Sequence, residues 1–159
     1  MLKINIICVG KIKEKFFKDA ISEYLKRLSR FCICNIIEVN DEKIPESCNS
    51  AIEEQIKQKE GLKIISHLKT NDYSIALDLT GPQFDSVQFS KKIDTLSMTH
   101  STINFIIGGS LGLSPEVLKN CNEKISFSKM TFPHQLIRIF LLEQTYRAFK
   151  ISNNETYHK

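Results

Sequence analysis

The chain opens with an alternating, β-branched run from Lys3 to Val9 that Gly10 interrupts, the pattern of a strand and its turn. Phe17, Ala20, Ile21, Tyr24, Leu25 and Leu28 then recur at helical spacing and give a helix one apolar face. Ile33 to Val39 reads as a second strand, and Asn40 through Asn49 as a polar connection containing Pro45. Ser50 to Leu68 predicts a charged helix with a thinner stripe of Ile52, Ile56, Ile65 and Leu68. Tyr73 to Leu79 is nearly continuous in apolar residues, as in a strand covered on both faces, and Thr80-Gly81-Pro82 ends it.

The second half repeats this rhythm. Phe89, Ile93 and Leu96 mark a helix, and Ile103 to Ile107 a short apolar strand running into Gly108-Gly109. Ser114-Pro115-Glu116 has the form of a helix start, with a capping hydroxyl, proline at the first helical position and an acid at the positive end. Lys124 to Phe127 reads as the last strand, and Pro133 opens a helix reaching about Lys150 before a polar tail. Strands alternating with helices predict an α/β fold: a mainly parallel sheet with helices on both faces, in one domain spanning residues 1–159. In the last helix Ile137, Phe140, Leu141 and Ala148 fall on one side, with Ile139, Leu142, Tyr146 and Phe149 roughly 160° away. One side can cover the sheet of its own chain; the other calls for a second partner, most simply the same helix in a homodimer, the alternative being a helix sandwiched within its own subunit.

Composition narrows the class. Apolar residues make up 42% and charged residues 25%, far from the values of disordered chains, and no apolar run is long enough for a membrane span. The Ile4 to Val9 run is too short for a secretory core, so a cytoplasmic chain is expected. Five cysteines at irregular spacing do not make a closed disulfide framework, and Cys32-x-Cys34 lacks the second pair or nearby histidine that a metal site needs, so no metal is expected. The net charge of +4 is unevenly spread. Residues 1–30 hold eight basic and three acidic side chains, residues 129–159 hold five and two, and the middle is acidic. Basic ends that meet in space would suit a polyanion such as RNA.

Ligands of open parallel sheets bind outside the carboxyl ends of the strands. Three loops qualify: the turn after Leu77-Asp78-Leu79, the stretch Gly108-Gly109-Ser110-Leu111-Gly112-Leu113, and Phe127-Ser128-Lys129-Met130-Thr131-Phe132. The glycines permit close backbone approach, yet no Lys-Ser or Lys-Thr follows as in a phosphate loop, and the position is too late for a dinucleotide fingerprint. That favours a phosphate-free nucleoside held by apolar walls and backbone groups, a description S-adenosylmethionine fits.

The stretches Ile106 to Leu113, Ser126 to Gln135 and Glu143 to Phe149, with the ending Tyr157-His158-Lys159, resemble the ribosomal RNA large subunit methyltransferase H family of the SPOUT class. The likeness runs from the Val9-Gly10-Lys11 turn to the last residue, weakens between about residues 81 and 102, and does not include the Cys32-x-Cys34 pair. It implies a SPOUT-type α/β fold with a C-terminal trefoil knot, a homodimer, S-adenosyl-L-methionine as methyl donor, and as acceptor N3 of a pseudouridine in the helix 69 stem-loop of large-subunit ribosomal RNA in the ribosome. Carried over by position, the cofactor contacts fall on Leu77, Gly108 with its neighbour Gly109, Phe127, Ser128, Lys129, Met130, Thr131 and Phe132, which belong to the three loops found from the sheet rule.

Methyl transfer from a sulfonium is an in-line displacement, to which orientation can contribute about 7–11 kcal/mol. The imide N3–H must lose its proton at or before attack, so a base, or a cation beside the ring oxygens, assists. Arg147, Tyr157 and His158 are the candidates, with His134 in reserve. Arg147 would bind phosphate or the imide anion, Tyr157 would stack on a base, and His158 would take the proton or touch RNA. Two other readings compete: a non-catalytic RNA-binding protein, and a SPOUT methyltransferase acting on transfer RNA or another ribosomal site.

Overall fold

The computed structural model describes residues 1–159. Five strands, β1 (Lys3–Val9), β2 (Ile33–Val39), β3 (Tyr73–Leu77), β4 (Thr102–Ile107) and β5 (Glu123–Ile125), form one sheet in the order β2-β1-β4-β3-β5. Every neighbouring pair is parallel. The helices are α1 (Lys15–Leu28), α2 (Ser50–Ile65), α3 (Ser86–Ser97), α4 (Pro115–Lys119) and α5 (His134–Ser152).

Alternation along the strands feeds two cores. Ile4, Ile6, Cys8, Ile75, Ile103, Phe105 and Ile107 meet Leu28, Phe89, Ile93, Leu141 and Leu142 on the face covered by α1, α3 and α5. Ile7, Val9, Ala76 and Ile106 meet Ile64, Leu113 and Val117 on the face covered by α2 and α4. The anticipated sheet with helices on both faces is what forms. Register is fixed by a polar row that periodicity did not single out: Asn35, Asn5, Asn104 and Ser74 lie opposite one another across four strands and are joined by side-chain hydrogen bonds of 2.9–3.2 Å. Asn104 is fully buried, so a one-residue slip would strand its amide in the core.

Three ends of elements differ from the sequence pattern: α2 stops at Ile65 rather than Leu68, and β3 and β5 each stop two residues early. The β3 strand stops at Leu77: the Asp78 N–H makes the last ladder bond, to the Ile125 carbonyl of β5, and Leu79 ends half-exposed in the loop. The β5 strand likewise stops at Ile125, where the loop before α3 closes over it: the Ser126 N–H donates to the Pro82 carbonyl, and Gly81 lies so close that a Cβ there would meet the Ile125 backbone at 2.8 Å. Sewn together in this way, the loops after β3 and β5 act as one piece of structure.

The second apolar side of α5 does not need another subunit. The helix lies between α1 and α3, so Leu141 and Leu142, nominally on opposite sides, are both in the same core. Phe149 stacks on Phe31 at 5.4 Å, and Tyr146 packs edge-on against Tyr157 at 5.0 Å. The homodimer expectation therefore loses this support; the apolar groups of α5 and its approach that stay open are Phe140, 40% exposed, and Met130.

Candidate active site

The three glycine- and phenylalanine-bearing loops leave the carboxyl ends of β3, β4 and β5 on one edge of the sheet. Gly108 sits in a turn so tight that a Cβ would meet Gly112 at 2.9 Å, and Gly112 has φ +84°, a conformation glycine takes without strain. In the third loop the Ser126 hydroxyl donates to the Ser128 carbonyl and the Ser128 hydroxyl accepts from the Met130 N–H, which shapes the bend. Lys129, Met130 and Thr131 point into solvent at its tip.

Beside this edge runs an open groove of 870 Å³. Its walls include Phe84, Phe89, Phe127, Phe132, Ile139 and Phe140, and its polar groups include Ser126, Asp85, Glu143 and His158. No lysine or arginine lines it. Apolar walls, a few hydroxyls and carboxylates and no cation fit a flat, phosphate-free ligand bearing positive charge. Of the positions expected to hold the cofactor, Phe127 and Phe132 line this groove; Leu77, Gly108 and Gly109 lie at the adjoining strand ends, and residues 128–131 form the loop outside its lining.

At one end of the groove the tail folds back onto α5. Arg147 donates through Nε and Nη2 to Glu143 Oε1 at 3.0 and 2.6 Å, and the Tyr157 hydroxyl donates to the same oxygen at 3.1 Å. The Arg147 guanidinium lies 4.8 Å from the Tyr157 ring centre, and its Nη1 is 3.1 Å from His158 Nδ1. Arginine can only donate, so Nδ1 accepts and the imidazole carries its proton on Nε2. In this arrangement Arg147 and His158 both present N–H groups, the chemistry of anion stabilisation rather than of proton removal. The Glu143 carboxylate raises the affinity of Arg147 for its proton, and burial, then the hydrogen bond to Glu143, pushes the Tyr157 phenol up.

His134 lies elsewhere. It begins α5, 13 residues and thus roughly 20 Å of helix before Arg147. Its ring covers Gly10, and its Nδ1 is 3.0 Å from Arg138 Nη2. Burial, and next the Arg138 charge, lower its pKa below 6.5. Arg138 itself is fully buried: it donates to Glu38 Oε2 at 2.8 Å and the Gly10 carbonyl at 2.9 Å, while its Nε has no partner. The structure thus brings Arg147, Tyr157 and His158 together and leaves His134 in a separate, buried cluster.

Sequence reading missed Glu143 and Arg138 as organising groups. Glu143 had a usable signal, since an acid four residues before an arginine on one helix face pairs with it. Arg138 had none, because its partners come from the ends of β1 and β2. The cysteines are all free thiols; burial pushes Cys8, Cys32 and Cys34 up to about 12.

Parallel sheet, glycine loops and a phosphate-free groove define a class, and a family model described as "Predicted SPOUT methyltransferase" matches residues 2–158. Proteins named ribosomal RNA large subunit methyltransferase H from Clostridium acetobutylicum, Clostridium novyi and Clostridium botulinum (strain Okra) are 55%, 57% and 58% identical to the chain. Each alignment takes in 99% of this chain and 100% of the relative. The chain belongs to this family of SPOUT methyltransferases.

Proposed function

We propose that the protein transfers a methyl group from S-adenosyl-L-methionine to N3 of a pseudouridine in the helix 69 stem-loop of large-subunit ribosomal RNA. It does so in the cytoplasm, as a homodimer of single-domain subunits whose C-terminal segment carries the family's trefoil knot. The observation that carries the reading is the meeting, along one groove, of the loop after β5 with His158 of the Glu143–Arg147–Tyr157–His158 cluster. A cationic donor fits walls that hold carboxylates and no lysine or arginine. Leu77, Gly108, Gly109 and residues 127–132 would hold the donor, which supplies the electrophilic methyl carbon.

The chain's own groups supply the rest. As N3 loses its proton to solvent at the open mouth of the groove, negative charge spreads to the two ring oxygens, where the N–H groups of Arg147 and His158 would stabilise it. Glu143 fixes the guanidinium plane and the Tyr157 hydroxyl, so that neither rotates away when the nucleotide arrives. Apolar walls keep water from competing for the methyl group. Phe140 and Val87, exposed on the groove, are the surface a second subunit would cover.

The test is transfer of radiolabelled methyl groups to ribosomes lacking only this modification, beside transfer RNA from the same cells, with calorimetry for the cofactor. Label in the ribosomal stem-loop supports the proposal. Label in transfer RNA alone, or no heat at millimolar cofactor, rejects it.

A further inference from the structure

The helix α1 sorts its side chains sharply except at one place. Phe17, Ile21, Tyr24, Leu25 and Leu28 turn inward, yet Phe16 is 66% exposed, the most open aromatic ring in the molecule. It touches Phe17, at 4.3 Å between ring centres. Just before it, in the turn after β1, Lys11 and Lys13 are exposed and make no ion pair, while the neighbouring Lys15 is tied to Asp19 at 2.8 Å. An exposed ring beside two free ammonium groups is a surface for an unstacked base and its flanking phosphates.

Two features link this surface to the groove. Phe16, Ala20 and Tyr24 follow one another at intervals of four along the same edge of α1, and Tyr24 lines the groove with His158. Eight residues of helix separate the rings by about 12 Å, roughly the reach of two nucleotides of extended strand. The turn bearing the lysines is also held firmly. Glu38 Oε2 accepts from the Ile12 N–H at 2.9 Å and from Arg138 at 2.8 Å, and Arg138 binds the Gly10 carbonyl from the other side. A buried guanidinium with one N–H left unpaired is a costly way to fix a loop, which accords with a loop whose position matters.

We infer that Phe16, with Lys11 and Lys13, is a docking platform for RNA flanking the methylated nucleotide: a neighbouring base stacks on the ring and the lysines take the adjacent phosphates. This rests on the proposed ribosomal RNA substrate but not on methyl transfer. The platform holds the stem-loop while one base enters the groove.

The experiment is binding of wild type, F16A, F16Y and K11A/K13A to purified ribosomes and to the isolated stem-loop, with cofactor calorimetry and light scattering on each variant. F16A should weaken RNA binding by about 5- to 150-fold, the range that loss of one base–aromatic stack spans, and F16Y should restore it. K11A/K13A should lower the salt slope of binding by roughly 1.4, two phosphate contacts' worth for single-stranded RNA. Cofactor affinity should not move. Unchanged RNA affinity in F16A overturns the platform, as does a loss that coincides with dissociation into monomers, which would make Phe16 a subunit contact. A wild type that binds ribosomes without transferring methyl groups rejects the proposed function and leaves the platform to be judged on the binding data. A wild type that binds no ribosomal RNA rejects both.

Discussion

One oxygen atom, Glu143 Oε1, receives three donated hydrogens, two from Arg147 and one from Tyr157. A neutral amide cannot hold both donors with comparable strength, because charge-assisted bonds are about twice as strong. Glu143→Gln should therefore cut kcat by about 10²-fold, the scale of a displaced catalytic group, read from methyl transfer at saturating cofactor. The second buried cluster acts on stability instead. Arg138→Ala removes the partner of Glu38 and of the Gly10 carbonyl and should lower unfolding free energy by about 3 kcal/mol, read from the urea midpoint at constant slope. His134 adds a pH dependence whose sign follows from its lowered pKa. Below about pH 6.5 the unfolded chain binds a proton that the folded chain resists, so stability falls as pH drops from 6.5 toward the folded value. His134→Gln should flatten that fall, measured as the difference between the two melting curves from about pH 7 to 5. At this scale chemistry and resemblance offered Arg147, Tyr157 and His158 as candidates, and the structure brings their side chains together. Arg138 could not, since an arginine on an apolar helix shows its worth only when distant carbonyls surround it.

Secondary elements were the most legible level, because strands buried on both faces and one-sided helices leave period-2 and period-3.6 marks that hardly overlap. What pattern could not reveal was the stitching between elements. The runs ending at Leu79 and Phe127 read as strand, but past the last β3–β5 ladder bond the Ser126 N–H turns to the Pro82 carbonyl, and both strands end two residues early. This predicts that Gly81→Ala, whose methyl group would meet the Ile125 backbone, costs about 1–3 kcal/mol and weakens cofactor binding through the displaced loop. Stability loss with native cofactor affinity would separate the loop from the site. Periodicity left the second apolar side of α5 to another subunit or to its own; α1, α3 and Phe31 pack on much of the helix, while Ile139 and Phe140 line the open groove. The final residues belong to this element's story too. Tyr157 and His158 are anchored to α5 by Glu143 and Arg147, so deleting Tyr157 to Lys159 should abolish methyl transfer while sparing cofactor binding.

For the molecule as a whole, the charge imbalance and the packing of α5 point to different surfaces. Phe140 and Val87 are open apolar groups on the groove, so Phe140→Asp should shift light scattering toward monomers, whereas Tyr146, packed within its own subunit, is the wrong place to break a dimer. The strand order has a consequence for how the chain comes into being. The central strand β4 is the fourth to emerge during synthesis and must enter between β1 and β3, which have no hydrogen bonds to each other. Until residue 107 has left the exit tunnel, the growing polypeptide therefore carries a β1–β2 pair with a bare, greasy flank and a lone β3, the kind of edge that invites aggregation. Fragments ending before Thr102 should accumulate in inclusion bodies or on chaperones, and co-expressing the missing carboxy-terminal piece should rescue their solubility.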